Sequence, residues 1–152
     1  MNFFFWKKKS LLDEESNRLI VKAIRHAEQR TSGEVRVFVE SRCRFMNALD
    51  RAQEIFFSLK MNQTEERNAT LVYVAIKDRQ VAVFGDEGIH QKVGVEYWDN
   101  VVKEMLAQFN ADNYAKAIGD AVIQIGDALQ THFPYDKETD KNELPDEIVF
   151  GR

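Results

Sequence analysis

Two spacings of apolar residues alternate along the chain. Leu12, Leu19, Ile20, Ala23, Ile24 and Ala27 recur at the three- and four-residue intervals of one helical face. Ser10 with Asp13 three residues on makes a capping-box pattern, and Asp13, Glu14 and Glu15 suit the positive end of the helix it would start. That helix must stop before Gly33. "EVRVFVE" then alternates, with Val35, Val37 and Val39 on one face and Glu34, Arg36 and Phe38 on the other, which predicts a strand. From Ala48 to Leu59 the helical spacing returns in Ala52, Ile55, Phe56 and Leu59.

The next stretch, "ATLVYVAIKDRQVAVFG", reads as a hairpin. Thr70 to Ile76 and Gln80 to Phe84 are strand-like, and "KDR" is short enough to turn between them. The nearly unbroken apolar run of the first strand suits a central strand covered on both faces. A connection, "FGDEGIHQKVG", follows from Phe84 to Gly94. Helices are predicted from about Val95 to Phe109 and from about Asn113 to Phe133, the second with Ala117, Ala121, Ile125 and Leu129 along one face. The order helix, strand, helix, hairpin, helix, helix favours a right-handed parallel crossover joined to an antiparallel hairpin. The predicted fold is a three-layer α/β sandwich: a small mixed sheet with helices on both faces. Residues 1–9 read as an aromatic and basic N-terminal segment, 10–133 as one α/β domain, and 134–152 as an acidic polar tail whose short apolar end, "IVF", docks partially.

Strand direction gives the connection its interest. An antiparallel return brings Gly85 and Asp86, where the second hairpin strand leaves, beside Arg67 and Asn68, where its partner begins. A parallel first strand begins at Gly33 and Glu34 on the same edge. One rim therefore collects Glu34, Arg67, Asn68, Asp86, Glu87 and His90. Carboxylates, an amide oxygen and carbonyls from a glycine-rich turn are the ligands that hard cations take, so Ca²⁺ or Mg²⁺ is one reading, with Asp86, Glu87 and Glu34 as ligands. The other has Asp86 capping a helical turn, Glu87 at that turn's positive end and the glycines permitting the bend. Both can hold together. Asp99, in the helix that follows, is within reach of the region.

Composition narrows the classes. A chain of 152 residues, 44% hydrophobic and 30% charged, suits one globular domain. A net charge of -4 argues against nucleic acid, whose binding depends on neutralising phosphates. The single cysteine, Cys43, excludes an internal disulfide and fits a reducing compartment. The apolar part of "MNFFFWKKKS" is too short for a signal-peptide core or a membrane span, so the protein reads as cytoplasmic with no transmembrane segment. Phe3, Phe4, Phe5 and Trp6 either pack on the domain or, with Lys7, Lys8 and Lys9, make weak contact with an anionic membrane surface.

Other chemistry is sparse. His26, His90 and His132 are too scattered for a metal trio. Arg42 and Arg44 flank Cys43, but the cysteine-phosphatase loop is absent, since the arginines that follow are at 44 and 51. No GxxxxGK[ST], GxSxG or HExxH motif occurs. Tyr97 and Trp98 read as packing residues.

"RNATLVYVAIKDRQVAVFGDEGIHQKVG", preceded by the helix running into "TSGEVRV" and followed by Trp98 and Asp99, resembles the TPM-domain family over roughly Leu12 to Phe133. The family includes thylakoid-lumen proteins of photosystem II repair and many bacterial proteins. The resemblance implies an α/β sandwich, divalent-cation binding in some members, and acid phosphatase activity attributed to some plant members. By position it lays the acidic loop on Asp86 and Glu87 and the strand starts on Glu34 and Asn68. Many relatives carry a signal peptide and often a C-terminal membrane helix. This sequence has neither pattern and is similar to a short cytoplasmic bacterial branch. It also has Ala69 where many relatives have glycine.

Three functions follow as expectations. The first is a module binding a divalent cation at the rim and, through it, a protein partner. The second is a metal-assisted hydrolase of phosphomonoesters, with Arg67 neutralising charge, for which no general base is evident. The third is a structural or assembly factor with no ligand.

Overall fold

Asp13 starts the first helix. Its carboxylate accepts a hydrogen bond from the Ser16 amide at 2.7 Å, so the cap is Asp13 itself, whereas Ser10 lies outside the described residues. The computed structural model describes residues 11–109, 113–135 and 148–151. Helix α1 (Glu14–Glu28) leads into β1 (Glu34–Glu40), helix α2 (Ala48–Ser58) and a short 3₁₀ turn. The hairpin strands β2 (Ala69–Ala75) and β3 (Gln80–Gly85) follow, with Arg79 taking the left-handed turn position at φ 52°. Helices α3 (Glu87–Val93), α4 (Val95–Phe109) and α5 (Tyr114–His132) and strand β4 (Ile148–Phe150) complete the order.

The sheet runs β3-β2-β1-β4. β1 and β2 are parallel, with Glu34 opposite Ala69 and Val39 opposite Val74, and β2 and β3 are antiparallel, with Thr70 opposite Gly85. This is the mixed sandwich expected. The alternation in β1 divides its side chains between two cores, and all seven of its residues are buried. Val35, Val37 and Val39 face α1, α4 and α5, together with Val72, Val74, Val81 and Val83. Phe38, Leu71, Tyr73 and Ala82 face α2 through Ala52, Ile55 and Phe56.

Two features differ from the sequence expectations. Asp86 caps the connection after β3, as one of the two readings had it, but the capped turn extends into the seven-residue helix α3, in which the His90 amide donates to the Asp86 carbonyl at 2.8 Å. The end of the chain's tail is a strand: Ile148 to Phe150 pairs in parallel with β1, and the Gly151 amide donates to Val39 O at 2.7 Å. Three residues with polar neighbours carry too little period to be read as a strand. β4 covers the β1 side of the sheet. Among the described residues, no strand pairs with the free side of β3.

Candidate functional site

The rim forms as the strand directions require. The Asp86 amide donates to Ala69 O at 2.9 Å, the Gly88 amide to Arg67 O at 2.8 Å, and the Glu34 amide to Asn68 O at 3.4 Å. Within it, the acids are already engaged. Arg67 bonds Asp86 with Nε and Nη2, at 2.6 and 2.8 Å, and reaches Glu87 with Nη1 at 3.1 Å. The Asp86 side chain is 3% exposed and also accepts from the Glu87 amide at 2.9 Å. The hydrogen bonds to Asp86 hold the Arg67 guanidinium above its ordinary pKa against the opposing effect of burial, with the charges of Asp86 and Glu87 adding to the rise.

Glu34 stands apart from this trio. It is buried on β1, and Ala69 of β2 lies between it and Asp86, so two strand spacings, about 9.5 Å, separate the two backbones. Asn68 turns toward the other side: its Nδ2 donates to Ser32 Oγ at 3.3 Å, and Ser32 Oγ donates to Glu66 at 3.1 Å. Asn68 Oδ1 and Thr70 Oγ1, both buried, have no hydrogen-bond partner. Among the described residues, no group of three or more His, Cys, Asp or Glu side chains is placed to hold a metal ion. Asp86 and Glu87 instead hold a guanidinium, and the set of Asp86, Glu87 and Glu34 does not fit a cation while Arg67 stays in place.

The glycines and aromatics of the motif have packing reasons. A Cβ on Gly88 would overlap the carbonyl oxygens of Glu66 and Arg67, so only glycine lets α3 close on the start of β2. A Cβ on Gly85 would enter the Trp98 indole ring. Trp98 Nε1 donates to His90 Nδ1 at 3.0 Å, which fixes the imidazole with its Nε2 available as the N–H donor. Tyr97 crosses to α5, donating to Gln124 O at 2.7 Å; burial, aided by Asp127 and Glu104, pushes its hydroxyl up to about 12.

Trp98 also opens onto a feature that the sequence reading missed. A groove of about 770 Å³ runs along β3, with Val81 to Gly85 as its floor. Leu49 and Phe57 of α2 form one wall, and Val95, Val102 and Leu106 of α4 the other. Arg67, Asp86, Glu87 and His90 close one end, and Asp99 lies on its rim. The signal was present: Leu49, Phe57 and Val95 lie off the core-facing stripes of their helices and are 52%, 44% and 61% exposed.

A second cluster lies at the opposite end of the two central strands, where β1 finishes. Arg51 grips Glu40 with Nε and Nη2, both at 2.9 Å, and Tyr73 donates its hydroxyl to the same carboxylate. Burial raises the Glu40 pKa, but the hydrogen bonds from Arg51 and Tyr73 outweigh it and leave the carboxyl below its ordinary value. Nearby, Cys43 is half-buried, with Sγ 3.3 Å from Met46 O. His26 and His132 are exposed on α1 and α5, apart from His90. Phe3 to Lys9 lie outside the described residues, and no described helix is long and apolar enough to cross a membrane.

The TPM domain model of protein families matches residues 7–128. Among solved structures, the BA42 protein of the psychrophilic bacterium Bizionia argentinensis is 37% identical, with a TM-score of 0.85 over 96% of this chain and 99% of that one. The N-terminal domain of the cg2496 protein of Corynebacterium glutamicum is 11% identical, with a TM-score of 0.59 over 80% of this chain and 76% of that one, and shares the fold. No curated protein sequence matches. With most of its length matched by the family model and nearly all of it by a solved relative, the chain belongs to the TPM-domain family.

Proposed function

We propose that the domain is a protein-binding module whose site is the groove along β3 together with its charged end at Arg67, Asp86, Glu87 and His90. The observation that supports this most is the placement of Leu49, Phe57 and Val95. They put large apolar side chains in solvent around one concave floor, and exposed apolar surface of that kind marks interaction sites. Catalysis is a weaker reading, since no nucleophile and base are paired in this groove and Arg67, the natural phosphate ligand, is committed to two carboxylates. The test is an array of short apolar and charged peptides probed with the folded chain and with the Val95→Lys variant. Peptides that hold the wild-type chain and release the variant support the module. Equal retention of both overturns it.

A divalent cation at the rim is a second reading, favoured by Asn68 Oδ1, a buried oxygen at the start of β2 that has no hydrogen-bond partner. Arg67 would have to leave, and its side chain, 39% exposed, is free to do so at the surface. The amides of Gly33, Asn68, Asp86 and Gly88, followed during titration with Ca²⁺ and then Mg²⁺, test it. Saturable shifts that strengthen in Arg67→Ala support a cation displacing the guanidinium. The absence of shifts in both proteins at millimolar cation overturns it. Turnover of p-nitrophenyl phosphate lost in a folded Asp86→Ala variant would move the reading to a phosphatase.

A further inference from the structure

We infer that the groove takes an extended peptide as a fifth strand on β3, with a run of apolar residues between the helical walls and a basic residue against Glu87 and Asp99. This rests on the binding-module reading and specifies its partner. The backbone comes first. Among the described residues β3 is the edge of the sheet, paired with β2 alone, and no backbone hydrogen bond reaches residues 81–84 from any other described element. In an antiparallel pair, alternate residues of the edge strand turn their N–H and C=O groups outward, so the groove floor presents a row of donors and acceptors to an added strand. Main-chain pairing of this kind supplies affinity largely independent of side chain, and the walls supply selectivity.

The walls define the occupant. α2 and α4 rise on opposite faces of the edge, so successive side chains of an added strand would meet Leu49, Phe57 and Phe84 on one side and Val95, Val102 and Leu106 on the other. Both faces are apolar, which calls for a continuous apolar run and not an alternating one. β3 spans six residues, about 20 Å, and limits that run to four or five positions. A second copy fits poorly, because its own β3 would bring α2 and α4 into the same space as these walls.

Charge sets the ends. Asp86, Glu87 and Asp99 outnumber Arg67 where β3 leaves the groove, and Glu87 is 54% exposed at its side chain. Lys103 lies further along α4, toward the end where Arg79 Nη1 donates to Phe109 O at 3.3 Å. A basic residue therefore belongs at the end near Glu87.

The probe is the synthetic peptide acetyl-Lys-Val-Ile-Val-Phe-amide, titrated into the full chain while backbone amide shifts are followed. Two further versions carry N-methyl groups on alternate residues, one on both valines and one on the isoleucine and phenylalanine. Strand addition uses one edge of the peptide, so one N-methylated version loses about tenfold or more in affinity and the other binds like the parent. Replacing the lysine by glutamate weakens binding, and the difference shrinks at high salt. Parent and both N-methylated peptides binding alike, with shifts in the groove, overturns strand addition and leaves the module standing. No binding, or shifts elsewhere, overturns the groove reading itself. A peptide-free dimer with β3 amides protected from exchange overturns the peptide in favour of a second copy.

Discussion

Arg67 holds both carboxylate oxygens of Asp86, at 2.6 and 2.8 Å, across the joint between the start of β2 and the end of β3. Arg67 takes a left-handed backbone at φ 54° to present its side chain there. Asp86 also caps α3, so one carboxylate ties two strands to a helix.

Removing that carboxylate loses a cap and a charge-assisted pair together. Asp86→Ala is expected to cost about 2–3 kcal/mol, and Asp86→Asn less, because the amide oxygen can still cap. Arg67→Ala leaves a buried carboxylate with only the Glu87 amide, and is expected to cost a comparable amount. Urea unfolding of both single variants and the double variant measures the coupling. Additive costs would mean that the pair contributes little beyond its separate parts.

The glycines at 85 and 88 separate two kinds of obstruction. In Gly88→Ala the new methyl meets backbone carbonyls of Glu66 and Arg67, which cannot swing aside, so α3 must lift. In Gly85→Ala it meets the Trp98 indole, a side chain that can tilt at the expense of its bond to His90. Overpacking costs about 1–3 kcal/mol, and Gly88→Ala is expected at the upper end. Thermal unfolding ranks the two, and a change in tryptophan fluorescence confined to Gly85→Ala reports the displaced ring. The reverse ranking would show that α3 yields more easily than Trp98.

Strand direction was readable from the chain, and with it the rim: β1, the β2–β3 hairpin and the meeting of Arg67 with Asp86 and Glu87 follow from alternation and turn length alone. Register across the sheet was not, and it places Ala69 between Glu34 and Asp86. The engagement of both acids by Arg67 was hidden for a different reason, since ion pairing depends on rotamers and a left-handed residue that no spacing announces. β4 is three residues long, below the length at which a period can be counted. The groove needs three elements at once: a strand left at the edge and two helices with apolar residues off their core stripes.

Glu40 makes stability depend on acid. Its folded carboxyl lies below the ordinary value, so the contribution of its pair with Arg51 is complete above the unfolded pKa, near 4.5, and is lost as pH falls through the folded value. Tyr73 remains a neutral donor throughout, because burial, reinforced by Glu40, pushes its hydroxyl far above its usual range. Glu40→Gln is expected to cost about 2 kcal/mol at neutral pH and to flatten the decline of the urea midpoint between about pH 5 and 3. A variant that declines as steeply as the wild type would assign acid sensitivity to other carboxylates.

Val95 separates binding from folding. It is 61% exposed at the start of α4, so Val95→Lys removes little buried surface and is expected to change stability by no more than about 0.5 kcal/mol. The same substitution sets an ammonium on one wall of the groove, near Asp99 and Glu87, where a bound apolar side chain would otherwise sit. Desolvating that charge, and cancelling the acidic end that would attract a basic residue, should weaken an apolar basic-ended peptide at least about tenfold. Glu15→Gln, on the exposed face of the remote helix α1, changes the net charge by the same single positive unit and should leave binding unchanged. The comparison is made by isothermal titration with the same peptide and equal unfolding midpoints. Should Glu15→Gln weaken binding as much as Val95→Lys, the attraction would belong to the overall charge of the protein, and the groove would lose its claim to the site.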